Sequence, residues 1–196
     1  PDTYVANRNL GINTRMRRVN LGAEGTLSGG LGYKVEAEFA NAQVAFEDVY
    51  LTYAPKGTRL LIKLGNQETL ASLEQMTSGT YTSFLERAQM NDAFNATRRI
   101  GLSVGWHDKA DVVRLDAGLF AAHSIDASFD NDGWIGSARA VYAPKLASGR
   151  LHVGVNFQHR DFQSNDNGVA SNSVGSPSTN QLARYRARPF LQTTDV

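Results

Sequence analysis

Apolar and polar positions alternate in a ten-residue run near the start of the chain, Leu31-Gly32-Tyr33-Lys34-Val35-Glu36-Ala37-Glu38-Phe39-Ala40. Every second side chain from Leu31 to Phe39 is apolar, and charged residues lie between most of them. Successive side chains on a β-strand point to opposite faces. The run therefore predicts a strand with one apolar face and one charged face.

The same period of two recurs along the chain and makes nine predicted strands in all. The other eight runs are residues 18–23, 48–53, 60–64, 100–106, 113–119, 134–142, 151–158 and 184–190. Aromatic residues cluster near the ends of these runs, as in the girdles of membrane barrels. Several runs reach about ten residues, which is enough for a tilted strand to cross a bilayer.

The connections between the runs alternate in length. Four are short and rich in Gly, Pro, Ser or Asp, as tight turns require: Gly25–Gly30, Pro55–Thr58, His107–Lys109 and Pro144–Gly149. Those between them are the brief Asn41–Gln43 and the longer Asn66–Thr97, Ala122–Asp132 and Asp161–Gln181. Strands joined by hairpins are antiparallel, so the short turns share one end and the long loops the other. This asymmetry is typical of outer-membrane barrels.

The composition excludes several classes of protein. The 196 residues hold 20 Lys+Arg and 19 Asp+Glu, and a net charge of +1 excludes a grossly basic nucleic-acid binder. The absence of Cys excludes disulfide scaffolds, Cys-ligated zinc and thiol catalysis. We find no catalytic motif and no metal-ligand spacing among the four His, so the sequence predicts a protein that is not an enzyme and needs no cofactor.

These patterns together predict an all-β fold, an antiparallel up-and-down transmembrane β-barrel. A soluble β-sandwich or open sheet would show the same alternation and is the alternative. Barrels of this kind have even strand numbers and no free edge, because unpaired backbone in lipid is costly. Nine strands, and a chain that opens with Pro1, therefore predict a mature form or a portion of a longer protein. The missing strands are expected on the C-terminal side, with one more at the start.

The connection Asn66–Thr97 has a pattern of its own. Apolar residues fall at helical spacing in Ser72–Met76 and again in Tyr81–Ala88. Exposed apolar residues would be wasted in an outward loop, so we expect this loop to fold back into the barrel and narrow it. A loop packed over the rim is the alternative.

Three segments resemble the phosphate-selective porins O and P: Arg17–Leu21, Phe46–Tyr53 and, most specifically, Gly65–Arg87. The resemblance runs in order from about Thr14 to Pro189. It implies an outer-membrane homotrimer of sixteen-stranded subunits, in which the third extracellular loop folds inward to build the constriction. Residues 1–196 would then be part of one porin barrel domain, and residues 66–97 would be its constriction loop.

Three arginines in the last predicted strand are the strongest candidates for contact with a solute. Arg184, Arg186 and Arg188 alternate with other residues, so on a strand they share one face, about 7 Å apart. A lipid-facing column of cations would be costly, so they must face the lumen or lie beyond the membrane. Guanidinium groups offer forked donors that match phosphate oxygens. The resemblance implies an arginine ladder at this place; a solvated basic strand or a rim patch facing lipopolysaccharide is the alternative.

Arg17 and Arg18 resemble the paired arginines at the constriction of that family. Alternation places Arg18 with Asn20 on the polar face, whereas Arg17 falls on the opposite side. An interfacial pair that reaches to lipid headgroups is the alternative. The family carries a Lys in the third loop where this sequence has Thr80, which keeps a hydrogen-bond donor and loses the charge. That difference leaves room for a looser anion preference.

Other charges on the predicted polar face are mixed in sign. Positive potential would come from Lys34, Lys63, Arg99, Arg114, Arg139 and Arg160, and would be offset by Glu36, Glu38, Asp48 and Asp116. Opposite charges on neighbouring strands often pair, and we expect this for Lys34 and Arg114. Glu86 and Arg87 are expected to form a structural pair that pins the long loop.

The sequence thus predicts a passive outer-membrane channel for phosphate or other small anions, in contact with outer-membrane lipid and lipopolysaccharide. One alternative is a soluble or surface β-sheet module that binds an anionic polymer. Others are a general non-selective porin, or a barrel with a structural or partner-binding role that its loop plugs.

Overall fold

The computed structural model describes residues 18–40, 44–82, 87–88, 91, 96–125 and 133–161. Within these ranges, eight strands form one sheet in the order β1-β2-β3-β4-β5-β6-β7-β10. Their bounds are β1 Asn20–Thr26, β2 Leu31–Glu38, β3 Ala45–Tyr53, β4 Leu60–Glu68, β5 Arg98–His107, β6 Val113–Ala121, β7 Trp134–Tyr142 and β10 Val153–Arg160. The short pair β8 (Lys145–Leu146) and β9 (Gly149–Arg150) forms a sheet of its own.

Each long strand pairs antiparallel with its neighbour in the chain, so the sheet is an up-and-down meander. Eight of the nine predicted strands are confirmed. The ninth, residues 184–190, lies outside the described residues. The all-β, antiparallel part of the predicted fold is therefore confirmed. It could be predicted because the alternation of apolar and polar residues is a local property of each strand.

Several boundaries differ from those predicted. β1 begins at Asn20, so Arg18 precedes the strand. β10 begins at Val153, because the residues before it are used by the β8–β9 hairpin. β4 continues to Glu68 and β5 begins at Arg98, which shortens the long connection to residues 69–97.

A soluble sheet buries its apolar face and exposes its polar face, and this sheet does the reverse. The apolar face is open, with Leu64 57%, Leu119 64% and Val155 70% exposed. The polar face is covered, and Asp116 and Arg139 on it are only 6% and 9% exposed. Soluble proteins rarely leave so continuous an apolar surface uncovered. None of the helices in the described ranges is long and apolar enough to cross a membrane.

Register makes the apolar face continuous across the sheet. Leu64 on β4 lies opposite Leu51 on β3 and Leu102 on β5, and Leu102 lies opposite Leu119 on β6. Cross-strand pairs of this kind are the units that stabilise a sheet. A small buried core lies elsewhere, at the long-loop end of the polar face, and consists of Leu70, Ala96, Phe120 and Ile135 with Met76 against it.

The turn between β5 and β6 is organised by one carboxylate. Asp108 Oδ1 accepts the backbone N–H groups of Val112 and Val113 at 2.7 and 2.8 Å, and Oδ2 accepts that of Ala110 at 3.3 Å. The Val113 N–H, followed by the others, holds the pKa of the Asp108 carboxyl below its ordinary value of 3.8. A side chain that satisfies three turn donors fixes the hairpin.

We expect Asp108→Asn to weaken this hairpin more at neutral pH than in acid. The folded-state pKa is depressed, so the carboxylate's contribution is complete above about pH 4 and is lost as the pH falls through the folded-state value. The measurement is the temperature at which the folded protein unfolds on a gel, for both proteins at about pH 7 and about pH 3. An equal difference between the two proteins at both pH values would contradict this.

Candidate functional site

The charges on the polar face of β2, β3 and β4 are mostly paired. Lys34 Nζ lies 2.7 Å from Glu36 Oε2 and 2.8 Å from Asp48 Oδ2. Lys63 Nζ lies 4.4 Å from the centre of the Tyr50 ring, in a cation–π contact. The expected pairing of Lys34 is confirmed, and this part of the face offers a solute little unpaired charge.

Arg98 lies at the centre of a charge cluster that was not predicted from the sequence. Its guanidinium bridges three carboxylates: Glu47, Asp48 at 2.7 Å and Glu68 at 3.2 Å. Alternation in β5 places Arg98 on the side of Ile100, which is the predicted apolar face. Three acidic residues at the loop ends of β3 and β4 were the available signal that a cation must lie between them.

Two arginines lie on the polar face of β6 and β7. Arg114 Nε donates to both oxygens of Asp116, at 3.1 and 2.9 Å, and its Nη2 donates to Oδ1 at 3.0 Å. Arg114 is therefore paired, as expected, but its partner lies on its own strand and not on a neighbouring one. Arg139 lies directly opposite Asp116 in the register, yet its hydrogen bond goes from Nη1 to the sulfur of Met76, 3.0 Å away.

Two further arginines lie near the long-loop end. Arg99 Nη1 donates to the carbonyl of Arg98 at 2.7 Å, whereas its Nε is buried with no hydrogen-bond partner among the described residues. Arg160 Nε donates to Gln158 Oε1 at 2.8 Å. Both were predicted to point inward, and both side chains are partly buried in the protein.

The long connection begins with a capped helical turn, α1 (Leu73–Met76). Ser72 Oγ accepts the N–H of Gln75 at 3.0 Å, as an N-cap should. The Gln75 amide donates to both oxygens of Glu68 at 3.0 Å, which ties α1 to the end of β4. The predicted helix at Ser72–Met76 is confirmed. That at Tyr81–Ala88 falls largely outside the described residues. Among the described ones, a 3-10 turn spans Gly79–Tyr81.

Arg87 fastens the other side of this segment. Its Nε donates to the carbonyl of Glu74 at 3.1 Å, and its Nη2 donates to that of Thr77 at 3.0 Å. Arg87 therefore pins the loop, as expected, by bonding the carbonyls at the end of α1. Its expected partner Glu86 lies outside the described residues.

The described part of the long connection lies against the polar face. Gln158 Nε2 on β10 donates to Thr69 Oγ1 at 3.2 Å. Leu70 and Ala96, at the two ends of the connection, pack in one cluster with Phe120 and Ile135. These contacts reach β6, β7 and β10, and β10 is the third strand from β5 in the sheet.

Both ends of the long connection have an unusual backbone. Leu70 has a φ of 60° and Thr97 a φ of 57°, in the left-handed region that side chains other than Gly rarely adopt. Each such residue costs on the order of 1–3 kcal/mol unless its surroundings enforce it. Here the buried cluster around Leu70 supplies that enforcement.

Two of the six predicted site residues, Arg18 and Thr80, lie within the described ranges. The Arg18 guanidinium lies against the loop at Gly79, where an added Cβ would clash with Nη1. Arg18 and the turn that contains Thr80 are therefore neighbours. Arg17, Arg184, Arg186 and Arg188 lie outside the described residues and remain predictions, as does any role of Thr80. No cluster of His, Asp or Glu in the described ranges could hold a metal ion.

Two cavities differ in chemistry. A groove of about 650 Å³ lies on the apolar face and is lined by Leu102, Ala117 and Phe157 among others, so it offers little to a charged solute. The second, of about 190 Å³, lies between α1 and β10 and is called the seam cavity below. Its lining residues are Leu73, Arg139, His152, Gly154, Val155 and Asn156.

Comparison with known proteins gives two matches. The family model described as phosphate-selective porin O and P matches residues 3–196. A protein of Caulobacter vibrioides, whose name states no function, is 35% identical over 201 residues. That alignment covers 97% of this chain and 37% of the relative, so the chain spans little more than a third of the relative's length.

Proposed function

Because the chain belongs to the phosphate-selective porin O and P family, we propose that it forms part of a passive outer-membrane channel for anions. Phosphate or a related oxyanion is the favoured solute. No chemical step occurs: the solute crosses a water-filled lumen, and lumenal arginines select it by charge.

The inverted burial of the sheet is the observation that carries this proposal. An exposed apolar face on every long strand suits contact with hydrocarbon, and a charged face suits a wet lumen. A soluble sheet would turn these faces the other way. Family membership rests on sequence similarity, whereas inverted burial rests on solvent exposure.

The long connection is proposed as the constriction. Its contacts with β6, β7 and β10 support an inward fold, and Arg18 beside Gly79 places a cation next to the turn that contains Thr80. The proposal extends to residues 66–97 as the constriction loop of a barrel domain that includes residues 1–196. The complete protein is then a homotrimer of sixteen-stranded subunits embedded in outer-membrane lipid and lipopolysaccharide.

Selection is assigned to arginines because their charge does not depend on pH in the physiological range. Arg184, Arg186 and Arg188 would lead the anion towards the constriction, where Arg17, Arg18 and Thr80 would contact it. Several cations of similar strength let an anion pass from one to the next without a deep trap, as conduction requires.

The test is the reversal potential of the purified full-length protein in a planar bilayer under a salt gradient. We expect anion selectivity that Arg186→Glu shifts towards cations. The matched control is Lys145→Glu, which makes the same change in charge in the short β8–β9 connection and should shift it far less. A wild type that prefers cations, or equal shifts in the two variants, would overturn the mechanism. A wild-type potential near zero would favour a general porin.

A further inference from the structure

The seam cavity has the dimensions and lining of a small-ligand site. Its volume of about 190 Å³ far exceeds the ~10–15 Å³ that a single buried water needs. It is bounded by Leu73 of the loop on one side and by Gly154, Val155 and Asn156 of the wall on the other. Any ligand in it would touch both the loop and the sheet.

The charge that lines this cavity has no strong partner among the described residues. Arg139 is 9% exposed, and the one hydrogen bond that it makes to these residues goes to a thioether sulfur, which is a weak acceptor. In the described part of the chain, no carboxylate forms an ion pair with it. A guanidinium has five N–H donors, so most of its hydrogen-bonding capacity is unused by the protein.

The obvious partner is occupied by another residue. Asp116 lies opposite Arg139 on the neighbouring strand, yet its carboxylate accepts three hydrogen bonds from Arg114. Asp116 is still close enough to attract Arg139 electrostatically. Arg114 and Arg139 each contribute +1 and Asp116 contributes −1, so the three groups together carry a net charge of +1.

Arg139 is a buried cation with a weak partner in a polar cavity, and an anion there would supply the counter-charge and acceptors that it lacks. Enclosing a charge is costly unless a counter-charge or good acceptors accompany it. An oxyanion would supply them, because its oxygens match the forked donors of a guanidinium. Asn156 lies opposite Arg139 on β10 and can donate from its amide, and the His152 ring also lines the cavity.

We propose that the seam cavity is a second anion-binding site, in which Arg139 holds a small oxyanion between the long connection and the wall. Its lining residues are different from those predicted for the arginine ladder and from Arg18 and Gly79. It rests on the proposed function in one respect, since the anion reaches it through a water-filled lumen. A bound anion would also bridge α1 to β10 and so stabilise the loop in its inward position.

The experiment uses the purified full-length protein with two probes. Inorganic phosphate is titrated against chloride current in a bilayer, and selenate is soaked into crystals and located by its anomalous scattering. We expect a selenate peak within hydrogen-bond distance of Arg139 in the wild type. Arg139→Gln should remove that peak. It should also raise the phosphate concentration that halves the chloride current about tenfold, which is the loss of affinity expected for one charge-assisted contact.

The matched control is Met76→Leu, which removes the sulfur contact and keeps the apolar volume. We expect it to leave the selenate peak and the phosphate midpoint unchanged. If Met76→Leu changes the selenate peak and the phosphate midpoint as much as Arg139→Gln does, Arg139 only ties the loop to the wall and the proposal fails. Arg114→Gln, which keeps Arg139, should also weaken binding because it releases Asp116 to occupy Arg139.

The outcomes separate this proposal from the channel function. An anion-selective wild type with an empty seam cavity would overturn the second site alone. A selenate peak at Arg139 in a channel without anion selectivity would overturn the proposed function alone. Folding of each variant is checked by its heat-modifiable migration before either measurement is compared.

Discussion

Leu64→Arg is expected to destabilise the folded protein in lipid by about 2–4 kcal/mol, the cost of an arginine on the lipid face near the bilayer midplane. Leu64 is at the centre of β4, is 57% exposed, and lies between Leu51 and Leu102 on the apolar face. If that face meets hydrocarbon, the guanidinium must be carried out of water. The measurement is the free energy of unfolding by urea of protein refolded into lipid vesicles.

The control for this variant is Leu146→Arg. Leu146 is also 57% exposed, but it lies in the short β8–β9 connection, away from the apolar face. We expect a change within about 0.5 kcal/mol there, as for an ordinary surface substitution. A soluble sheet that binds an anionic polymer would tolerate both arginines equally. Equal and small effects would therefore support that alternative.

Arg98→Ala is expected to cost about 3 kcal/mol, because it leaves Glu47, Asp48 and Glu68 without their shared cation. This is the low end for a broken buried ion pair, since the Arg98 side chain is 27% exposed and water screens part of the repulsion. Lys34 remains beside Asp48, so the residual repulsion falls mainly on the two glutamates. The measurement is again urea unfolding in vesicles.

Two comparisons make the Arg98 result specific. Arg59→Ala removes an exposed arginine from the rim before β4 and should change stability little. Adding Glu68→Gln to Arg98→Ala should restore part of the loss, because one of the crowded carboxylates is neutralised. A loss from Arg98→Ala no larger than that from Arg59→Ala would show that the cluster has no net effect on stability.

The strands could be predicted from the sequence because alternation is decided within each run. Leu31–Glu38 and its neighbours required no knowledge of distant residues, and the pairings of Lys34 and Arg114 involved partners on the same or the next strand. The β8–β9 hairpin was missed, since each of its strands is two residues long and shows no period.

The arrangement of the site could be predicted only in outline. Asp116 had two candidate partners, and nothing in the spacing shows that Arg114 takes it and leaves Arg139 to Met76. Contacts between residues far apart in sequence, such as that of Gln158 with Thr69, depend on how the loop packs in three dimensions. Inverted burial likewise becomes visible only once strand register aligns the leucines of four strands on one face.

The two left-handed residues that bracket the long connection define an exchangeable cassette. Leu70 and Thr97 turn the chain away from the wall and back to it, and Leu70 packs with Ala96 across the entrance. A graft that replaces residues 71–95 with a segment of another length can keep the same two turns and the same anchoring contact. The sheet and the connection that lies against it are therefore separable parts for engineering.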